Sequence, residues 1–229
     1  MRSPNVFLGA EDGSARLRES NHRIANNLMT IATLLRYQTR QLIKAKQSFS
    51  ADEVREIFNE TGHRIELVGR LHRRLAEPIA PDTLNLSPYL NDVAETAIDC
   101  LSPPGEVDLE AISGDMCPVR ADHALLIGLI LGELVTSAVK FARRAGARSK
   151  LILTCGPADG RLEITLATEG AGVSGGFDAV PDDTLGVAKL LVTQLKGTLT
   201  FESRASRPMA RLFVPTGFDL ADLAAAGEA

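Results

Sequence analysis

The chain has 229 residues, 24% of them charged and 45% hydrophobic, with a formal net charge of -4. That make-up belongs to an ordinary protein of one or two small domains and excludes collagen-like and fully disordered chains. The acidic balance and an aromatic content of only 4%, with no Trp, argue against nucleic acid as a partner.

No apolar run approaches the roughly 20 residues that a bilayer crossing needs. Residues 1–10 also lack a basic stretch followed by an apolar core of about 7 to 15 residues, so the expected location is the cytoplasm, without membrane contact. The cysteines Cys100, Cys117 and Cys155 are odd in number, widely spaced and free of any CxxC pair. They read as core thiols, and neither a disulfide framework nor a metal site is expected.

In chain order, residues 1–15 form an N-terminal segment. From Leu17 the positions Leu17, Asn21, Ile24, Leu28, Ile31, Leu35, Gln38 and Leu42 alternate spacings of 4 and 3, a heptad seam with polar breaks. Val54, Phe58, Thr61, Ile65, Val68, His72 and Leu75 repeat the alternation, and residues 45–50 between the two runs are polar enough to turn. Ser50 with Glu53 reads as a capping box opening the second helix, and Pro78 and Pro81 close it. Residues 16–80 are thus a helical hairpin. A lone hairpin cannot cover both apolar stripes, so pairing with a second copy into a dimeric four-helix bundle is expected, packing on its own chain being the alternative.

The texture then changes. Leu86 to Leu101 reads as a helix, Val107 to Ile112 as a strand, and Ala121 to Arg144 as a long apolar helix. Lys150 to Cys155 and Arg161 to Ala167 read as strands joined by the Gly-Pro-Ala-Asp-Gly turn. Thr184 to Lys196 reads as a helix, and Thr198 to Glu202 with Ala210 to Val214 as a closing hairpin. The fold class is α+β: the hairpin, then a mixed sheet with helices on one face over residues 84–216, then a tail over residues 217–229.

His22 is the candidate for chemistry. It sits beside the seam position Asn21, at the flank of the bundle, where another protein can reach it. An imidazole with a pKa near its ordinary value keeps one ring nitrogen free as a nucleophile at neutral pH. Glu19, one turn before, can orient the ring by accepting its other N–H. Asn26, one turn after, can donate to a phosphoryl oxygen or position a water. Arg16, Arg18, Arg23, Arg36 and Arg40 on the first helix and Arg70, Arg73 and Arg74 on the second suit an acidic docking partner, with Arg23 beside His22 able to pair with a phosphoryl group. For any one of these arginines a merely solvated helix face serves equally well. His63, His72 and His123 read as packed or solvated residues.

Residues 19–38, Glu-Ser-Asn-His-Arg-Ile-Ala-Asn-Asn-Leu-Met-Thr-Ile-Ala-Thr-Leu-Leu-Arg-Tyr-Gln, closely resemble the phosphoacceptor box of the HisKA_2 and HWE class of bacterial sensor histidine kinases. Residues 131–142 look like the N-box helix of that class, and residues 185–197 like the last helix of its ATP-binding domain. The resemblance implies that residues 16–80 dimerise and carry phosphate, that His22 is the phosphorylated residue, and that residues 84–216 are a kinase-type ATPase domain, an α/β sandwich. It also implies departures from an active kinase. The N-box asparagine that holds magnesium corresponds to Ser137, and the aspartate that reads adenine corresponds to Thr168 in Thr-Glu-Gly-Ala-Gly. Glu169 is one residue out of register, which in a strand turns it to the other side. Glu133, linked in the family to the nucleotide site, becomes a relic.

The ATPase domain is therefore expected to be degenerate and to hold no cofactor, and the chain to be a histidine phosphotransferase of a bacterial phosphorelay. Its architecture is similar to that of phosphotransferases of the ChpT type. His22 would take phosphate from the receiver domain of a hybrid kinase and pass it to a response regulator, and the receivers would bring their own magnesium. The alternatives are a phosphatase of a phosphorylated regulator, a kinase with an unorthodox ATP site, and a non-catalytic adaptor.

Overall fold

The computed structural model describes residues 25, 28, 29, 31–33, 35–37, 39, 40, 43, 44, 49–75, 83–113, 117–146, 148–170, 185–204 and 207–215. The chain divides into two compact units, Met1–Gln47 and Ser48–Ala229.

In the first unit the described residues from Ala25 to Lys44 are helical. Thr33 and Thr39 turn their hydroxyls back onto the carbonyls of Met29 and Leu35. Ile31 is buried, whereas Leu28, Met29 and Ile43 are exposed.

The second unit opens with helix α1, Ala51–Leu75. Its start is the capping box read from the sequence: the Ser50 amide donates to Glu53 Oε2 at 2.8 Å and the Glu53 amide donates to Ser50 Oγ at 3.2 Å. This reciprocal pair satisfies two amides that the helix itself cannot. Of the seam positions, Val54, Phe58 and Ile65 are exposed. Where the heptad pattern groups α1 with the helix before it, the contacts within the chain group it with the sheet domain: α1 packs against helices α2, Leu86–Leu101, and α3, Ala121–Ala145.

The sheet has five strands. In chain order they are β2 (Val107–Ser113), β4 (Ser149–Ala158), β5 (Arg161–Gly170), β6 (Thr198–Arg204) and β7 (Arg207–Pro215). Across the sheet the order is β2-β4-β5-β7-β6, with β2 parallel to β4 and the other pairs antiparallel. The β4–β5 link tightens to Asp159 and Gly160, both at positive φ (50° and 70°). That is the Asp-Gly pair a two-residue hairpin turn selects, so β4 runs on through Ala158.

Burial alternates strictly. Leu151, Leu153 and Cys155, then Leu162, Ile164, Leu166 and Thr168, then Ala210, Leu212 and Val214 are buried on the face covered by α2, α3 and α4 (Gly186–Gln194). The other face carries cross-strand polar pairs. Lys150 meets Glu110, the Thr154 and Thr165 hydroxyls meet across their register, and Arg211 bonds Glu163 and Glu202 while lying 5.3 Å over the Phe213 ring. One face is thus greasy and covered, the other charged and wet.

A second, two-stranded sheet, unforeseen from the sequence, pairs β1 (Thr83–Asn85) with β3 (Pro118–Arg120). Asn85 ends β1 and caps α2: its Oδ1 accepts from the Ser87 amide at 3.4 Å and from the Cys117 amide at 3.2 Å. Helix α2 then buries Leu86, Tyr89, Leu90, Val93, Ala94, Ala97 and Ile98, one stripe at helical spacing. Helix α3 is buried without a break from Ala124 to Gly132, because α1, α2, α4 and the sheet surround it. Gly128 lets the Tyr89 ring lie directly on α3. By length and composition His123–Arg143 suffices to span a bilayer, which corrects the expectation that no apolar run approaches that length. Yet 78% of its most apolar stretch is buried inside the protein, as in a core helix. A second correction concerns the thiols: Cys117 and Cys155 are buried, but Cys100 is exposed.

Candidate nucleotide and phosphoryl-transfer site

The phosphoryl-transfer candidates Glu19, His22 and Asn26, and the arginines Arg16, Arg18 and Arg23 around them, lie outside the described residues. Arg36 and Arg40 are described and exposed on the first helix, as is Arg70 on α1. Of the nucleotide-site candidates, Glu133, Ser137, Thr168, Glu169 and Gly170 are described, and α3 and β5 position them; residues 171 and 172 lie outside the described residues.

Helix α3 packs on β5. On α3, Glu133 is half-buried and Ser137, one turn later, is 5% exposed. On β5, Thr168 is 3% exposed and continues the helix-facing row of Leu162, Ile164 and Leu166. The residues read as replacing asparagine and aspartate therefore both lie in the buried layer between sheet and helices. Each offers one neutral hydroxyl: a weaker oxygen ligand for magnesium than an amide carbonyl, and for adenine no charged acceptor.

Glu169 does not make good the loss. The two-residue period of β5 sends its side chain to the charged face, where Oε1 stands 2.6 Å from Arg207 Nη1. The register slip read from the sequence is a physical separation, with the sheet itself between Glu169 and Thr168.

Gly170, which would match a glycine of a nucleotide-binding turn, has its own structural reason to be glycine. A Cβ there would stand 2.7 Å from the Arg148 carbonyl oxygen, so β5 and the chain entering β4 approach too closely for any side chain. Gly197, after α4, is confined in the same way, with a Cβ position 2.7 Å from the Phe213 carbonyl oxygen. Both glycines serve the sheet with or without a nucleotide.

Of the histidines read as structural, His63 is 7% exposed on α1 and His123 half-buried at the start of α3. The pairing of Cys117 with Cys155 escaped the sequence reading. The neighbouring Cys117 thiol, together with burial, pushes the Cys155 thiol far up, keeping it protonated and inert.

Comparison with known proteins places this geometry. The HisKA_2 family model, described as histidine kinase, matches residues 19–101. The sensor histidine kinase PdtaS of Mycobacterium tuberculosis (strain ATCC 25618 / H37Rv) is 26% identical over 197 residues, 84% of this chain and 38% of PdtaS. Blue-light-activated histidine kinase 2 of Erythrobacter litoralis (strain HTCC2594) is 24% identical over 207 residues, 87% of this chain and 57% of that protein. The chain thus spans less than two thirds of the length of these relatives. Among solved structures, the Erythrobacter litoralis EL346 blue-light activated histidine kinase matches with a TM-score of 0.64 and 19% identity, over 94% of this chain and 61% of that one. Its separate histidine kinase domain matches with a TM-score of 0.59 and 21% identity, over 90% and 94%. At identities this low the structural likeness is one of fold: a helix-and-sheet domain like the ATPase domains of histidine kinases.

Proposed function

We propose that this chain, a histidine-kinase-like protein of two-component signalling, works as a histidine phosphotransferase that gains phosphate from a receiver domain and not from ATP. The observation that carries the reading is the placement of Thr168 and Glu169. The helix-facing position at the end of β5 holds a neutral hydroxyl, and the adjacent carboxylate is tied to Arg207 on the far face of the sheet. With Ser137 on α3, the two described positions lack the amide and the carboxylate that the family resemblance assigns to magnesium and adenine. These residues do not fit Mg-ATP.

In this reading a receiver domain docks on the helical hairpin of residues 16–80 and presents its aspartyl phosphate in line with a ring nitrogen of His22. The P–N bond forms as the bond from phosphorus to the aspartate oxygen breaks, and the aspartate leaves as carboxylate. Glu19 holds the opposite ring N–H, and Asn26 and Arg23 bond the phosphoryl oxygens. The phosphoimidazole then passes its group to a response-regulator aspartate by the reverse chemistry. Exposed Arg36, Arg40 and Arg70 supply positive charge for an acidic partner. The exposed seam residues Val54, Phe58 and Ile65, Phe58 being 70% exposed, support a homodimeric four-helix bundle. A cytoplasmic location is part of the same proposal.

The second reading, an ATP-dependent kinase, is favoured by the relatives, which carry the name of histidine kinases. Incubation with labelled Mg-ATP alone, and then with a labelled phosphorylated receiver, separates the readings. Phosphotransfer predicts stable label only from the receiver. Label from ATP alone makes the chain a kinase, and rapid release of the receiver's label as free phosphate makes it a phosphatase.

A further inference from the structure

Where α1 crosses α2, three side chains of metal-binding chemistry converge. His63 and Glu66 stand one turn apart on α1, and Cys100 approaches from the last turn of α2. The ligating nitrogen, oxygen and sulfur atoms all lie within 4.8 Å of one another, and Cys100 Sγ is 4.0 Å from Glu66 Oε2. Two ligands at zinc distances of about 2.0 and 2.3 Å, set at a tetrahedral angle, are roughly 3.5 Å apart. The Cys100–Glu66 pair therefore needs about 0.5 Å of closure, within the reach of two exposed side chains. His63 is the buried, fixed member, 7% exposed.

We propose that His63, Glu66 and Cys100 form a zinc site that ties α1 to α2, with a water in the fourth position. The donor set is one imidazole, one carboxylate and one thiolate, a mixture that suits zinc better than the all-oxygen preference of magnesium or calcium. Among the described residues near Cys100, Asp99 favours a cation beside the Glu66 ligand and Arg70 opposes it. A cysteine binds zinc as thiolate, so zinc entry displaces a proton.

The consequence concerns how α1 is held within the second unit. Helix α1 leads from the first helix into the sheet domain, and α2 is the first helix of the sheet domain's covering layer. A metal bridge between them clamps α1 to that layer. The site is independent of the proposed phosphotransfer and stands whether or not ATP is used.

The test uses the full chain, stripped with chelator, kept reduced, and titrated with zinc against a chromophoric chelator and with cobalt by absorption spectroscopy. The expected result is one zinc per chain, a thiolate-to-cobalt charge-transfer band, and a rise in Tm on zinc addition. Cys100→Ser should abolish the band and weaken zinc binding by at least about 100-fold, since losing even an outer-shell partner costs about 10- to 100-fold. Glu66→Gln, exposed and close in shape, keeps the fold and should weaken binding by about tenfold or more. Absence of stoichiometric zinc binding, or a charge-transfer band that survives Cys100→Ser, overturns the proposal. So does zinc affinity unchanged in both variants.

Discussion

Gly128→Ala probes the tightest contact in the helical layer. A methyl group at position 128 would overlap the Tyr89 hydroxyl and stand 2.7 Å from Cζ and 2.8 Å from Cε1. Two ring atoms are involved besides the hydroxyl oxygen, so rotating the hydroxyl gives no relief, and α2 and α3 must separate or the ring must leave its rotamer. Overpacking of this kind costs about 1–3 kcal/mol, here at the upper end. Alanine regains about 1 kcal/mol of helix propensity over glycine. The net loss is about 2 kcal/mol, or a fall in Tm of about 4–8 °C for a chain of this size.

Among the described residues the Tyr89 hydroxyl has no hydrogen-bond partner, and burial pushes its phenol far up. Tyr89→Phe therefore removes an orphaned polar group that costs about 1–3 kcal/mol and should itself raise stability. In the double variant the closest overlap is gone, so the two changes should couple by about 0.5 kcal/mol or more. Thermal and urea unfolding of the four proteins of this cycle measures it. Gly128→Ala as stable as the parent, or strictly additive effects, would refute the packing argument.

Further outcomes follow from other elements. Ser50→Ala removes one half of the capping box of α1 and should cost about 1 kcal/mol, read as reduced helicity and a lower unfolding midpoint. Glu169→Gln breaks a largely exposed ion pair and should change stability by less than about 1 kcal/mol; because Glu169 lies on the far face of the sheet, it should also leave any response to ATP unchanged, as measured by calorimetric titration. Gly160→Val places a branched side chain at positive φ in the β4–β5 turn, where an ordinary residue pays about 1–2 kcal/mol, and should lower the urea midpoint.

Much of this architecture is legible in the sequence where one local rule acts alone. Leu86–Leu101 follows from apolar spacing, the start of α1 from Ser50 and Glu53, and the opposite facing of Thr168 and Glu169 from the two-residue period of a strand. What escapes is set by contacts distant in the chain. β1 and β3 are three residues each, too short to show a period, and exist because Asn85 meets Cys117 across 32 positions. His63, Glu66 and Cys100 match no ligand spacing because helix crossing, not sequence, brings them together. Helix α3 shows the opposite failing: a core helix surrounded on every side demands the same all-round apolar composition that a bilayer does, so composition alone could not separate the two.

The most direct measurement maps acid-labile phosphate by mass spectrometry after the chain meets a phosphorylated receiver with no nucleotide present, in the parent and in His22→Gln. The account predicts phosphohistidine at position 22 in the parent and none in the variant. Phosphate at His22 that arises only when Mg-ATP is supplied, with or without the receiver, would contradict it.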